Sequence, residues 1–432
     1  MMVLSPTRRR LPLGLDFMVF YSAGVLVDQH DARQMYDLPT INALEHAIAA
    51  DQGIELGGAL GPWWNPPFYA WVFVPFSHLP FSNALTAWVA LNVICALAAV
   101  AILCRMLVRA GESSELSIRR KRSLRDDLAT CGLVPALLVL SIPFIYSMTH
   151  GQNACMSLLL MTITVALWRK RRAVWAGAIA GLLLYKPQLA LFLSGVLVLD
   201  LGWRALVGLG ITGAMLLAAT LALPGTLSDF VHQTPVNLHI VQEQLPYIWT
   251  RHVTFLAFWR VLLQGTGTGV TLPIATALSY LCMAGVGIAL LLAARRNRGV
   301  ESRNGRWSRD RLIAATIAAA PLLTPFYFDY DQVLLMIPAV LLAIEVRRRG
   351  ATNLCRTDRW LMRAWVAHYV WFMLNSQIAI RTHVNVGVIL WTTVTLLLIC
   401  RAARPAAAEK FAEEQEPAKQ IARFDIPPSA AA

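Results

Sequence analysis

Long apolar runs bounded by arginine and lysine set the pattern of this chain. A helix needs about 20 apolar residues to cross about 30 Å of hydrocarbon. Runs of that kind lie at about 83–107, 128–147, 154–168, 205–223, 271–294, 312–328, 332–346, 361–380 and 386–400. The stretch 173–202 is also apolar, but its middle is Tyr185-Lys186-Pro187 and both flanks are basic, the run Arg169–Arg172 and the pair Trp203-Arg204. Proline breaks the helical ladder and lysine is costly in lipid. The pattern therefore predicts two short helices forming a hairpin. One long kinked helix would instead turn every arginine-rich segment downstream to the opposite side.

The N-terminus fits less simply. Arg8, Arg9 and Arg10 are followed by about 17 fairly apolar residues that include Asp16. Either 11–27 is a poor first span with an acid inside it, or it is an amphipathic surface helix whose preceding span is absent through an early truncation or a misplaced start. Nothing before Asp16 has the apolar core and small-residue cleavage site of a signal peptide. From Ala402 the chain turns rich in Ala, Glu, Lys and Pro. The expected organisation is one integral-membrane domain over 1–404 and a disordered cytoplasmic tail over 405–432.

Composition sharpens the class. Hydrophobic residues make up 57% of the 432 and charged ones 15%, with a mean hydropathy of +0.54; soluble domains run near half apolar and about a quarter charged. A cytosolic enzyme is excluded. The formal charge of +13 would suggest nucleic acid in a soluble protein, but 24 of the 38 Lys and Arg fall in four short segments, 105–125, 169–172, 295–311 and 347–363. Membrane proteins concentrate such residues in cytoplasmic loops, so the basicity is a topology signal and nucleic acid is not an expected partner.

Placing those segments inside orients the spans without contradiction and leaves four outer segments: about 28–66, the turn Thr149–Asn153, the loop 224–254 and the turn Asp329-Tyr330-Asp331. These carry few cations and several acids, among them Asp28, Asp31, Asp37, Glu45, Asp51, Glu55, Asp229 and Glu243. The seven cysteines lie mostly in apolar runs with no CxxC and no histidine at ligand spacing, and read as small buried hydrophobes.

Candidate chemistry collects at the outer ends. Asp16 is an acid at the edge of an apolar segment, either functional or a snorkelling or capping residue. Trp63-Trp64-Asn65-Pro66-Pro67-Phe68 reads as an interfacial anchor, with the shaping of a lipid-substrate groove as the alternative. Gln152 and Asn153 can bond hydroxyls, though a plain turn explains them equally well. Lys186, at the hairpin tip, needs an anion: a phosphate headgroup or an internal carboxylate. Asp329 and Asp331 flank a tyrosine, with capping of the next helix by Asp331 as the simpler account. Arg251-His252, just before an apolar helix, suits an anion at the interface. The spacing of His232 and His239 is not a metal-ligand pattern. No GxxxxGK[ST] element is present; GxGxxG occurs once, as Gly208–Gly213 inside an apolar run rather than after a strand, and DxD once, as the outer turn Asp329-Tyr330-Asp331, so ATP hydrolysis and a soluble nucleotide-sugar site lack support.

Read in order, five segments resemble glycosyltransferase family 87, polytopic GT-C enzymes that include polyprenol-phosphate-mannose-dependent mannosyltransferases. They are DFMVFYSAG with Tyr36-Asp37 after it, NPPFYAWVFVPFSHLP, HGQNACMSLLL, AGAIAGLLLYKPQ and TPFYFDYDQVLL, spanning about 16–345. The resemblance implies an all-α, GT-C-like bundle of about 10–12 transmembrane or re-entrant helices, with short extracytoplasmic helices in the first loop. It implies transfer of mannose or a similar sugar from a polyprenyl phosphate to a lipid or glycan hydroxyl, with inversion, on the outer face of a bacterial-type inner membrane. Asp16 matches the position of the family's catalytic acid, although the family carries a full span before it.

A hydroxyl attacking the anomeric carbon needs a carboxylate base, and the leaving phosphate needs cations. Arg251, His252 and Lys186 are the candidates for the phosphate or headgroup. Tyr21, Asp37, Gln152, Asn153, Asp329 and Asp331 are the candidates for sugar or acceptor. No cofactor and no metal site is expected, since phosphate leaves without requiring a metal; a divalent ion stays open. A flippase for a polyprenyl-linked glycan, or a non-catalytic membrane scaffold, are the alternative classes. The lack of a convincing internal repeat weighs against transport.

Overall fold

The computed structural model describes residues 14–54, 56, 61–112, 124–297, 305–349 and 354–404. Arg8–Arg10, Glu55, the middle of the 105–125 basic segment and the tail 405–432 lie outside the described residues. Among the described residues the regular structure is helical, with one isolated antiparallel bridge between His252 and Phe328. It is an all-α polytopic membrane protein.

In chain order the helices are α1 (Leu15–Asp28), α2 (Leu38–Asp51), α3 (Val74–Ser77), α4 (Phe81–Glu112), α5 (Leu124–Val139), α6 (Ile142–His150), α7 (Ala154–Arg169), α8 (Ala173–Leu182) and α9 (Pro187–Leu201). There follow α10 (Trp203–Leu221), α11 (Thr226–His239), α12 (Phe255–Gln264), α13 (Pro273–Asn297), α14 (Gly305–Ala319), α15 (Met336–Arg349), α16 (Arg356–Trp371), α17 (Asn375–Thr382) and α18 (Val386–Ala402). Three of these, over Phe81–Arg109, Trp203–Leu221 and Pro273–Arg296, are long and apolar enough to cross a bilayer unaided. The runs 154–168 and 386–400 form the shorter continuous helices α7 and α18, and the remaining apolar runs are interrupted.

The run 128–147 splits at Leu140-Ser141 into α5 and α6, which meet at 60°. Ser141 caps α6 and Pro143 occupies its first turn, where the missing N–H costs nothing. The run 312–328 stops being α-helical at Ala319, and 332–346 becomes α-helical only at Met336, after a 3₁₀ turn over Asp329–Leu335. The run 361–380 divides into α16 and α17. Residues 15–28 do not form an amphipathic surface helix: α1 is enclosed by protein on nearly every side.

The stretch 173–202 is the expected hairpin. Contacts between Val174 and Gly208, and a hydrogen bond from Thr212 Oγ1 to Ala178 O (2.9 Å), rise together along α8 and α10, so those helices run parallel. The intervening α9 ends next to the start of α10 and therefore returns antiparallel to α8, leaving Tyr185-Lys186-Pro187 at the tip. Glycine permits this packing. A Cβ on Gly177 would lie 1.9 Å from Ala205 O, and one on Gly208 1.9 Å from Val174 O. Small residues let helix backbones approach in lipid, where dispersion rather than water exclusion drives association.

Buried ion pairs clamp one end of the bundle. Arg309 Nε and Trp168 Nε1 both donate to Asp200 Oδ2 (2.8 and 2.6 Å), tying α14 and α7 to the end of α9. Arg169 grips Asp310 with two bonds of 2.7 and 2.9 Å. Glu345 accepts from Arg311, and Arg401 lies 2.9 Å from both Glu345 and Asp358, joining α14, α15, α16 and α18. At the opposite end the two long polar segments fold on each other: Arg33 holds Asp229 at 2.8 and 3.1 Å, and Asn237 Nδ2 donates to Tyr36 O at 2.8 Å.

The glycine contacts give a direct test. Gly177→Leu and Gly208→Leu should each destabilise the bundle by more than the ~1–3 kcal/mol of ordinary overpacking, because backbone rather than side chain is in the way. Gly213→Leu on α10, which meets open space, should be near neutral. Thermal unfolding in detergent micelles compares the three.

Candidate active site

At the end of the bundle away from the ion-pair clamp, α1, the α6–α7 turn, the α8–α9 tip and the 3₁₀ turn Asp329–Leu335 converge on a cavity of about 110 Å³. Asp16, Gln152, Asn153, Lys186 and Asp331 line it, with Tyr185, Tyr247, Phe326, Tyr327, Phe328 and Tyr330 as aromatic walls.

Asp16 sits in the first turn of α1, where the helix dipole favours a carboxylate. Its neighbour across the cavity is placed by backbone geometry. α6 ends with Gly151 at φ +69°, Gln152 N donates to Ser147 O (2.8 Å) and Gly151 N to Met148 O (3.2 Å), the two bonds of a Schellman cap. A Cβ at Gly151 would lie 2.7 Å from Phe17 Cβ, so glycine serves both the left-handed turn and the approach to α1. The turn delivers Gln152 Nε2 to Asp16 Oδ2 at 2.8 Å. Asn153, at the start of α7, donates to Tyr69 OH (2.9 Å), and Tyr69 stacks on Tyr185 at 4.5 Å. Tyr185 OH shares a 2.6 Å bond with Ser157 Oγ.

Lys186 is 7% exposed, and Nζ lies 2.6 Å from Asp331 Oδ1, so the anion it needs is an internal carboxylate. Asp331 makes no capping bond to the next helix. Asp329, two residues earlier on the same 3₁₀ turn, points to Arg251, whose Nε and Nη2 reach it at 2.5 and 2.7 Å. The two acids thus serve different cations. Arg251 also lies over the Tyr146 ring (4.8 Å) and 3.3 Å from His150 Nε2. His150 Nδ1 in turn bonds the Tyr146 carbonyl (2.9 Å), which can only accept, so Nδ1 carries a proton.

His252 is fully enclosed; burial first, and Arg251 second, push it down to about 3. It is a neutral ring at physiological pH, bonded through Nε2 to Tyr247 OH (2.6 Å) and packed on Phe328 at 4.0 Å.

Two of the sequence candidates stand apart from this group. Tyr21 OH donates to Leu79 O (2.9 Å). Asp37 caps α2 through Thr40 N (3.0 Å) on an exposed face. The WWNPPF segment does not anchor at an interface through Trp63, which is 1% exposed and packs on Phe20, Tyr69 and Phe73; Trp64 and Asn65 line the cavity instead. Sequence reasoning passed over His150 and Tyr247, although His150 begins the quoted HGQN turn.

On the far side of the 3₁₀ turn, Gln332, Val333, Leu335 and Met336 face a second cavity of about 430 Å³, walled almost entirely by apolar residues of α5, α6, α15 and α16. A small cavity holding a carboxylate and a cation thus lies beside a large apolar one within this helical membrane bundle. The family model of glycosyltransferase family 87 matches residues 63–325, more than half of the chain, and the chain belongs to that family. It is a membrane glycosyltransferase. Neither a curated protein nor a solved structure matches it. Gln152, Asn153, Lys186, Arg251 and His252 fall within the matched stretch; Asp16, Asp329 and Asp331 flank it.

The Lys186–Asp331 pair predicts a non-additive mutant cycle. Lys186→Ala strands a buried carboxylate and should cost about 3–5 kcal/mol, whereas Lys186→Ala with Asp331→Ala should cost clearly less than the sum of the single changes. Thermal unfolding of the four proteins measures the coupling.

Proposed function

We propose that this enzyme moves mannose or a similar sugar from a polyprenyl phosphate to a hydroxyl of a lipid or glycan, on the extracytoplasmic side of a bacterial-type inner membrane. The observation that carries the reading is the placement of Asp16 and Gln152 across one small cavity from Lys186, with a large apolar cavity behind the adjoining turn. Asp16 takes the proton of the acceptor hydroxyl, whose oxygen bonds the anomeric carbon as the bond from that carbon to the phosphate oxygen breaks. Attack opposite the leaving group inverts the centre. Gln152 holds Asp16 in place by its 2.8 Å bond.

The donor phosphate engages Lys186, which shares its charge with Asp331, and Arg251 adds a second positive centre behind the wall. His252, being neutral, contributes hydrogen bonding rather than charge. Gln152, Asn153 and the carboxylate of Asp331 line the cavity and are suited to sugar and acceptor hydroxyls, with Asp329 holding Arg251 behind them, and the apolar cavity is suited to the prenyl chain. The clamped, arginine-rich end lies away from the cavity, which under the positive-inside rule turns the cavity outward.

Reconstitution with radiolabelled polyprenyl-phosphate mannose and a panel of lipid acceptors tests the chemistry. Asp16→Asn should lower transfer by about 10²–10⁴-fold with little change in the donor KM; unchanged transfer overturns the role of Asp16. Label that crosses the bilayer without a new glycosidic bond assigns transport instead. For sidedness, single cysteines placed in 224–254 should react with an impermeant maleimide from outside the cell, and those placed in 295–311 should not.

A further inference from the structure

A second buried acid lies behind the Asp16 helix. Glu45, on α2, is 1% exposed; Oε2 accepts from Gly61 N at 3.1 Å, and Oε1 has no hydrogen-bond partner. Gly61 opens the segment that carries Pro62, Trp64 and Asn65 into the cavity wall. The fit there is tight: a Cβ on Gly61 would lie 2.3 Å from Val19 Cγ2 and 2.9 Å from Glu45 Oε1. Val19 is itself a cavity residue, three positions along α1 from Asp16. The far end of the segment is fixed separately, by the bond from Tyr36 OH to Asn65 O (2.8 Å).

Among the described residues no ion pair reaches Glu45. From α1 the facing charge is Asp16, a like charge. On the 3₁₀ turn Ala32–Tyr36, Arg33 is turned away to Asp229 and the Tyr36 hydroxyl is spent on Asn65. On α2 itself, His46 bonds the Asn42 carbonyl one turn back, and Asp51 lies on the exposed face. The segment Gly61–Pro66 has no titratable side chain. A carboxylate so enclosed, with a single N–H to receive its charge, is much costlier than the un-ionised acid.

We propose that Glu45 is a positioning residue of the site: as an un-ionised carboxylic acid it hangs the Gly61–Asn65 wall on α2 and sets that wall against the helix bearing Asp16. Burial above all, opposed by the Gly61 N–H and assisted by Asp16, pushes Glu45 up to about 8. The proposal deepens the reading of the cavity as a glycosyl-transfer site, but its first test is independent of that reading.

A group whose value is raised on folding binds extra protons in the folded state, so its contribution to stability is complete below the unfolded value, about 4.3, and is lost as pH rises through about 8. Glu45→Gln cannot titrate, and it keeps an acceptor for Gly61 N. Thermal unfolding of the full chain in detergent micelles, from pH 4.5 to 9, should show the wild type losing melting temperature relative to E45Q across that window. The two should lie closest near pH 4.5, with E45Q the more stable at pH 8. A constant offset at all pH values overturns the proposal. Failure of E45Q to fold overturns it as well, since an amide and an un-ionised acid fill the same space.

In the transfer assay E45Q should keep wild-type kcat/KM at pH 7 and hold it above pH 8, where the wild type declines, while Glu45→Ala should lose about tenfold or more. E45A matching the wild type overturns the positioning role. If no protein transfers sugar, the reading of the cavity fails, and the melting comparison still decides the state of Glu45.

Discussion

A lysine ammonium at the tip of an apolar hairpin has nowhere to put its charge in hydrocarbon, and most of this architecture follows from how that is resolved. Lys186 meets Asp331, a residue 145 positions away, at 2.6 Å. The meeting requires the chain after α14 to abandon its helix at Ala319, run irregularly through Thr324–Phe328 and resume as a 3₁₀ turn. That irregular backbone is sheltered inside protein, the condition under which non-helical chain survives at membrane depth. The same turn offers Asp329 to Arg251, so two cations from two distant segments are neutralised by acids two residues apart. The site is built around this junction.

The cavity owes its small size to close backbone approaches. Gly177 and Gly208 bring α8 and α10 together, which fixes where the hairpin tip can lie; Gly151 brings the α6–α7 turn against α1, which brings Gln152 to Asp16. In each case the glycine removes atoms from a contact that no side chain could occupy. Specificity of placement comes from backbone clearance, and the polar side chains then find partners at hydrogen-bond distance.

Much of this was legible from residue patterns. The hairpin followed from proline and lysine in an apolar run with basic flanks, and the gathering of Arg169, Arg309 and Arg311 at one end of the bundle followed from where the arginines fall. The motifs around Gln152, Lys186 and Asp331 pointed to residues that do converge. Hydropathy alone could not locate the breaks within 128–147, 312–328 and 361–380, because a bent or 3₁₀ segment is as apolar as a straight one. It also could not pair Lys186 with Asp331 rather than with a ligand, since that partnership is set by tertiary packing. Trp63 misled because tryptophan is at home both at interfaces and in aromatic cores, and Glu45 went unweighed because an acid in a polar loop resembles every other solvated acid.

The ion pairs that join α7, α9, α14, α15, α16 and α18 all lie at the end opposite the cavity. Mechanically, the helices that bear the site are beams held at both ends, by this clamp at one and by the Lys186–Asp331 and Arg251–Asp329 pairs at the other. A beam held this way deflects least at its supports, so the polar groups that line the cavity keep a fixed mutual geometry.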